Sequence, residues 1–291
     1  MNNTETSFKD KWDNNKDLAF TETLREGSDI YNWILNRNGF ENKLAFQKFL
    51  VSKKRVLDAG CGNGRVTALL RVNSKPETTE IVGIDLVAAE VAKENLKEES
   101  NVSFFQKDLL GDLTDLGKFD FIYCQEVLHH TNDPQRSFNN LVSLLDTNGE
   151  IAIYVYKKKA PVREYVDDYI RDIISKYDYE KAMAVCKQIT ELGKSLHETK
   201  AKITVPALDL LEIDAGEFDL QRFIYHFFMK CFWNPDLSFE ANVAINYDWY
   251  HPQNCTRHTV EEIKNWFTES GLQINHVFQD YYGITIKGKK I

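Results

Sequence analysis

The sequence predicts an α/β protein: a doubly wound, seven-stranded, mainly parallel sheet with an antiparallel last strand, interrupted by a helical insertion. Three observations lead there. Short β-branched and aromatic runs alternate with helical ones from about residue 55 to 156, as in a parallel sheet covered by helices on both faces. The alternation then gives way to amphipathic helical patterns as far as about residue 250. It returns at the end as one helix and two strands at hairpin spacing.

The elements follow in order. Residues 1–45 carry Phe8, Trp12, Phe20, Tyr31 and Trp33, too apolar for a tail, and read as a helical cap segment. The core, 46–157, opens with the strand "RVLDA" (55–59) and the helical run "RVTALLRV". "EIVGIDL" is the second strand, "VSFFQ" the third, "KFDFIYCQ" the fourth and "GEIAIYVY" the fifth. Pro134 marks the first turn of the helix between the last two. Residues 158–250 form the insertion. In "PVREYVDDYIRDIISKY" a stripe of Tyr165, Val166, Tyr169, Ile170, Ile173, Ile174 and Tyr177 recurs at 3.6-residue spacing. That stripe predicts the buried face, with Arg163, Asp167, Asp168 and Arg171 as i,i+3 and i,i+4 pairs on a solvated one. "YEKAMAVCKQITELGKSL" reads as a second helix and "EFDLQRFIYHFFMKCFW" (217–233), apolar nearly all round, as a buried third. Residues 251–291 complete the sheet: Thr259 caps a helix with Glu262 three residues on and Gly271 at its stop, ahead of "LQINHVF" and "YGITIKG".

The formal net charge of −8 argues against a nucleic-acid backbone as partner. Five cysteines, odd in number and without a C-x-x-C pair, speak against a disulfide framework or zinc, so no metal is expected. The polar N-terminus lacks a signal region, and no run approaches the about 18 apolar residues of a membrane span. A cytoplasmic protein with no membrane partner is the expectation; a homodimer stays open.

"VLDAGCGNGR" (56–65) carries the chemistry. Three glycines in five residues need a reason, since each costs about 0.5–1 kcal/mol against alanine within a helix or strand. A glycine loop after the first strand sits where an open α/β sheet binds its ligand. A dinucleotide fingerprint is G-x-G-x-x-G; here the run is G-x-G-x-G, with Asp58 two residues ahead. A carboxylate there repels a pyrophosphate and suits a ligand with an ammonium and a sulfonium, such as S-adenosylmethionine.

This segment resembles motif I of the class I S-adenosylmethionine-dependent methyltransferases, and later segments follow in that family's order over about 50–157 and 259–290. The resemblance implies a Rossmann-like fold and S-adenosyl-L-methionine as cofactor, with S-adenosyl-L-homocysteine as product. It implies a cofactor site of Asp58, Ala59, Gly60, Cys61 and Gly62 in the loop, and Asp85 with Leu86 after the second strand. Asp85 matches the acid that holds the ribose hydroxyls. Asp108, with Leu109, matches the acid near the adenine amino group; Gln125 and Glu126 border the methionine part.

Methyl transfer from a sulfonium is an in-line displacement, so the protein mainly aligns the nucleophile. A base is needed only where that nucleophile holds a proton. His129, His226 and His251 are the candidates, each with a plainer reading as a packed core histidine. Tyr156, Arg163, Asp167, Tyr247 and Tyr250 are candidates for substrate contact. Gln125-Glu126-Val127-Leu128 stands in place of the Asn/Asp-Pro-Pro-aromatic tetrapeptide expected of adenine amino-methylation, and Cys124 lacks the preceding proline of a cytosine-methylating nucleophile. "EVLHH" resembles the branch acting on small metabolites. The expected reaction moves the methyl to an O, N or C atom of a small molecule. Another reaction of the same cofactor, or a binding module without catalysis, are the alternatives.

Overall fold

The central strands are apolar in both registers, and both of their faces are covered. In the computed structural model, which describes residues 3–291, helices α1 (Asn3–Asn14), α2 (Phe20–Leu24), α3 (Asp29–Arg37) and α4 (Lys43–Leu50) precede β1 (Arg55–Ala59). α5 (Arg65–Val72), β2 (Glu80–Asp85), α6 (Ala89–Asn95), β3 (Val102–Gln106), β4 (Phe119–Gln125), α7 (Pro134–Ser143) and β5 (Leu145–Tyr156) follow. Next come α8 (Pro161–Ile174), α9 (Tyr179–Glu198), β6 (Lys202–Val205), β7 (Gly216–Asp219), α10 (Leu220–Phe227) and α11 (Phe239–Tyr250). α12 (Val260–Glu269), β8 (Leu272–Gln279) and β9 (Gly283–Lys290) close the chain. Two compact units divide these elements: residues 12–157 with 256–291, and residues 3–11 with 158–255.

The first unit is the sheet. Its order is β3-β2-β1-β4-β5-β9-β8, with β1 to β5 parallel to their neighbours and β9 antiparallel to both β5 and β8. This is the seven-stranded Rossmann-like arrangement the sequence predicts. Val56, Ile81 and Phe121 face one core with Leu50 and Leu69; Leu57, Val82 and Ile122 face the other with Phe138 and Phe267. Neighbouring residues serve opposite faces, as strand geometry requires. The strand order reverses between β1 and β4, which makes the end of β1 the switch point. Thr259 caps α12 by accepting from the Glu262 N–H at 3.2 Å, but Glu262 turns to His258 Nδ1 at 2.8 Å, so only half of the capping box forms.

The second unit is not wholly helical. β6 and β7 pair as an antiparallel ribbon, and the helix expected over 217–233 exists only as α10. Beyond it the backbone N–H groups of Lys230, Phe232 and Asn234 donate to the side chains of Asp167, Asn246 and Asn242 at 2.7–2.9 Å. Those acceptors replace the helical carbonyls, and distant residues supply them. A Cβ on Gly193 of α9 would lie 2.4 Å from the Cys231 carbonyl, so glycine is what lets this segment pass.

The burial of α8 departs from the expectation, although Ile174 is buried and Asp168 exposed as expected. Tyr165 and Tyr169 are 78% and 62% exposed, whereas Arg163 and Asp167 are each 1% exposed and Arg171 is buried with Ile174. Both stripes recur at helical spacing, so periodicity does not separate them. The charged stripe is the buried one because this unit supplies it with hydrogen-bonding partners.

Candidate active site

The sheet unit gathers its acids around the loop that follows β1. Gly60, Gly62 and Gly64 all have positive φ (83°, 54° and 85°), a region an L side chain enters at a cost. A Cβ on Gly60 would also meet Val127 Cγ2 at 2.2 Å. The loop's own donors are occupied: the N–H groups of Gly60 and Cys61 donate to the Ile84 carbonyl at 2.7 and 2.9 Å, and that of Gly62 to Asp85 Oδ2 at 3.0 Å. Asp85 Oδ1 accepts from the N–H groups of Val87 and Ala88, both at 2.9 Å. Oδ2 takes a single bond, which leaves it acceptor capacity at the tip of β2.

Asp58 is buried at the end of β1, and Thr67 Oγ1 donates to its Oδ2 at 2.6 Å. Burial pushes its pKa up to about 6, against the pull of Thr67 and Arg65. Burial raises the Cys61 thiol well above its ordinary value, with Asp85 and Asp58 adding to the effect. Glu126, at the tip of β4, has φ of 62° and stands 3.7 Å from Arg65. Strain of this kind in a non-glycine residue is held by its surroundings and gathers at functional sites. Gln125 accepts from the Tyr123 hydroxyl. Asp108, exposed beyond β3, accepts from the Leu110 N–H at 2.9 Å. Ala59 and Leu109 are buried in the core, so what they offer a ligand is backbone, and Leu86 is partly exposed.

The N-terminal segment reaches this loop, which the sequence did not indicate. A Cβ on Gly62 would sit 2.7 Å from the Trp12 ring. Asn63 Nδ2 donates to the carbonyls of Lys16 and Leu18, both at 3.1 Å, and Asn95 Nδ2 donates to Lys16 and Asn63 carbonyls at 2.8 and 2.9 Å. Two asparagines thus strap residues 12–18 to the glycine loop.

The histidines fall in different surroundings. His129 is fully buried: its Nδ1 accepts from the Tyr156 N–H at 3.3 Å, its carbonyl accepts from the Thr256 N–H at 2.8 Å, and its ring stacks on Tyr156 at 3.7 Å. In the helical unit His251 stacks on Tyr247 at 4.6 Å. Its Nδ1 lies 2.7 Å from Ser7 Oγ and its Nε2 lies 3.0 Å from the Tyr177 carbonyl. Both ring nitrogens of His251 are thus engaged. Burial lowers its pKa, and burial with Arg163, Arg222 and Lys159 takes that of His226 down to about 3.

Arg163, Asp167 and Tyr250 come together in the helical unit. Asp167 Oδ2 accepts from Arg163 Nε at 3.0 Å and Trp249 Nε1 at 2.9 Å; Oδ1 accepts from the Tyr250 hydroxyl at 2.7 Å and the Lys230 N–H at 2.9 Å. Lys230 escaped the sequence reading, although a lone cation in the apolar run "FFMKCFW" was the available signal.

No group of histidine, cysteine and carboxylate side chains fit for a metal occurs among the described residues. All five cysteines are buried free thiols. No helix among the described residues is long and apolar enough to cross a membrane.

The N–H groups of Gly60, Cys61 and Gly62 thus already have acceptors, and the Asp85 carboxylate keeps acceptor capacity beside them. A family model described as "Methyltransferase domain" matches residues 50–205. A ubiquinone biosynthesis O-methyltransferase of Coxiella burnetii is 24% identical over 200 residues, 64% of this chain and 80% of that protein. A juvenile hormone acid O-methyltransferase of Bombyx mori is 29% identical over 191 residues, 59% of this chain and 66% of that one. A solved S-adenosylmethionine-dependent methyltransferase from Aquifex aeolicus has 12% identity and a TM-score of 0.48, covering 97% of this chain and 98% of its own. With more than half of its 291 residues matched by the family model, the chain belongs to the methyltransferase-domain family and is an S-adenosylmethionine-dependent methyltransferase.

Proposed function

We propose that the protein transfers the sulfonium methyl to a small organic molecule whose accepting atom arrives without a proton to remove. The observation that carries this reading is the state of the three candidate bases. His251 is tied at both ring nitrogens, His129 is tied to the Tyr156 N–H at Nδ1, and His226 is held at a pKa of about 3. General bases work best with a pKa near the operating pH; burial holds His226 far below it and lowers the pKa of His251, while the Nδ1 of His129 is already an acceptor. An ionised oxygen or a neutral amine needs no base. The relatives named above are O-methyltransferases by name, which favours oxygen.

When bound, S-adenosylmethionine supplies an already activated methyl group. The chain's part is then to bind and orient. In this reading Asp85, with acceptor capacity left at Oδ2, takes the ribose hydroxyls in a charge-assisted hydrogen bond. Asp58 and Glu126 supply the negative field for the ammonium, and Asp108 accepts from the adenine amino group. Gly60 to Gly62 bring the backbone into contact distance with the cofactor's amino-acid end.

Calorimetry with S-adenosylhomocysteine tests the cofactor assignment. Asp85→Ala is expected to lose about 1.5–3 kcal/mol of binding, the worth of a hydrogen bond to a charged group; unchanged affinity removes Asp85 from the site. Incubation with methyl-labelled cofactor and metabolite fractions tests the acceptor. The labelled product is expected among small acids or amines, and label found only on phenols or alcohols without an ionised neighbour rejects the base-free reading.

A further inference from the structure

The helical unit contains more buried positive charge than its carboxylates answer. Four cationic groups surround the Trp249 ring: Lys230 Nζ at 4.9 Å from the centroid, Arg163 Cζ at 5.2 Å, Arg171 Cζ at 5.5 Å and Lys159 Nζ at 5.7 Å. Arg163 also lies over Tyr225 at 4.6 Å, joined there by Arg222 at 5.6 Å. Arg171 has its own partner in Asp168. Arg163 and Lys230 share Asp167, and that sharing leaves a deficit.

All four bonds to Asp167 are accounted for, and only one comes from a charged group, Arg163 Nε; Lys230 reaches it through its backbone N–H. Arg163 Nη1 is buried with no hydrogen-bond partner, and so is Arg222 Nη1. Among the described residues the Lys230 ammonium makes neither a hydrogen bond nor an ion pair; its neighbour is the Trp249 ring. Burial pulls the Lys230 pKa down to about 8, with Arg163 pulling the same way and Asp248, Cys255 and Asp167 opposing. Asp248, which also favours the Lys230 charge, is held by Lys11 at 2.9 Å, so Arg163 and Lys230 with Asp167 leave one positive charge without an answer, and desolvated charge is stable only when paired.

We propose that this cluster is a binding site for an organic carboxylate, held between Arg163 Nη1 and the Lys230 ammonium. A monoanion balances these two cations against Asp167, whereas a phosphate dianion overshoots. The Trp249 and Tyr225 rings offer an apolar body the wall it needs beside its charge. All the residues of this site lie in the helical unit.

Thermal unfolding of the full chain tests this with benzoate as probe, against benzamide, inorganic phosphate and sodium chloride at matched ionic strength. Benzoate is expected to raise the midpoint by about 2 °C or more, as a ligand of the native state does, and the neutral isostere benzamide is expected to leave it unmoved. Lys230→Met, which keeps the stem and the backbone bond to Asp167, is expected to abolish the benzoate shift. Asp85→Ala is expected to retain it while weakening S-adenosylhomocysteine binding, so the two sites are read separately. An equal shift with benzamide, no shift with benzoate, or a shift that survives Lys230→Met each overturns the proposal. A phosphate shift as large as that of benzoate overturns the carboxylate assignment.

Discussion

Arg163 donates from Nε to Asp167 Oδ2 across 3.0 Å, one turn apart on α8, and water reaches almost nothing of either side chain. Asp167 is the hub of the pair, since it also accepts from Trp249, Tyr250 and the Lys230 backbone. Burial alone would lower the Arg163 pKa, but Asp167 and then Tyr225 and Tyr250 more than offset it, and the net change is upward.

The hub sets an order of stabilities. Asp167→Ala strands a buried cation and two donors, since the Tyr250 hydroxyl keeps the Lys230 carbonyl at 2.9 Å, and is expected to cost about 3–5 kcal/mol. Asp167→Asn keeps an acceptor and costs less. Arg163→Met costs least, because three donors still satisfy the carboxylate. Urea unfolding reads the series, and Arg163→Met emerging as the most damaging would contradict the assignment of Asp167 as hub.

The proposed place of Asp58 beside the cofactor predicts a pH-dependent affinity. The folded pKa of Asp58 is raised from 3.8 to about 6, so the proton is bound more tightly in the folded chain. The stability this contributes is complete below the unfolded pKa and lost as pH rises through 6. A cationic ligand favours the ionised carboxylate and must displace that proton. Affinity for S-adenosylmethionine is therefore expected to fall as pH drops from 7 to 5, and Asp58→Asn to flatten the profile. Calorimetry across that range measures both.

Lys230 gives the opposite stability slope. With a folded pKa of about 8 against an ordinary 10.5, its charge opposes folding at neutral pH by an amount of order 3 kcal/mol. That penalty is complete below pH 8 and relieved as pH rises towards 10.5, where the unfolded chain still binds the proton. Lys230→Met is expected to be more stable than the parent at pH 7 and to converge with it near pH 10. Paired denaturant titrations at the two pH values test this; a constant gap rules it out.

His251 separates packing from catalysis. His251→Phe keeps the stack on Tyr247 and loses the hydrogen bonds to Ser7 and Tyr177. It is expected to cost about 1–3 kcal/mol of stability with cofactor affinity and turnover per folded molecule preserved. Turnover, followed as S-adenosylhomocysteine formed, collapsing in a folded variant would restore His251 as a base.

Much of the sheet was readable in advance because its information is local. A strand shows its faces in neighbouring residues, and "VLDAGCGNGR" states the turn and the acid ahead of it in one stretch. The insertion was readable only in part. Its first helix offers two stripes at the same spacing, Tyr165–Tyr169 and Arg163–Asp167–Arg171, and hydropathy selects the wrong one.

The sequence by itself determined the α/β class, the glycine loop and the acids that follow β1 and β2, since each depends on residues adjacent in the chain. Only the tertiary structure decided which face of α8 is buried, that residues 230–234 leave the helix, and that Lys230 stands beside Arg163 and Trp249. Those outcomes depend on acceptors and countercharges contributed by residues tens of positions away, and a buried charge follows its partners rather than its own hydropathy.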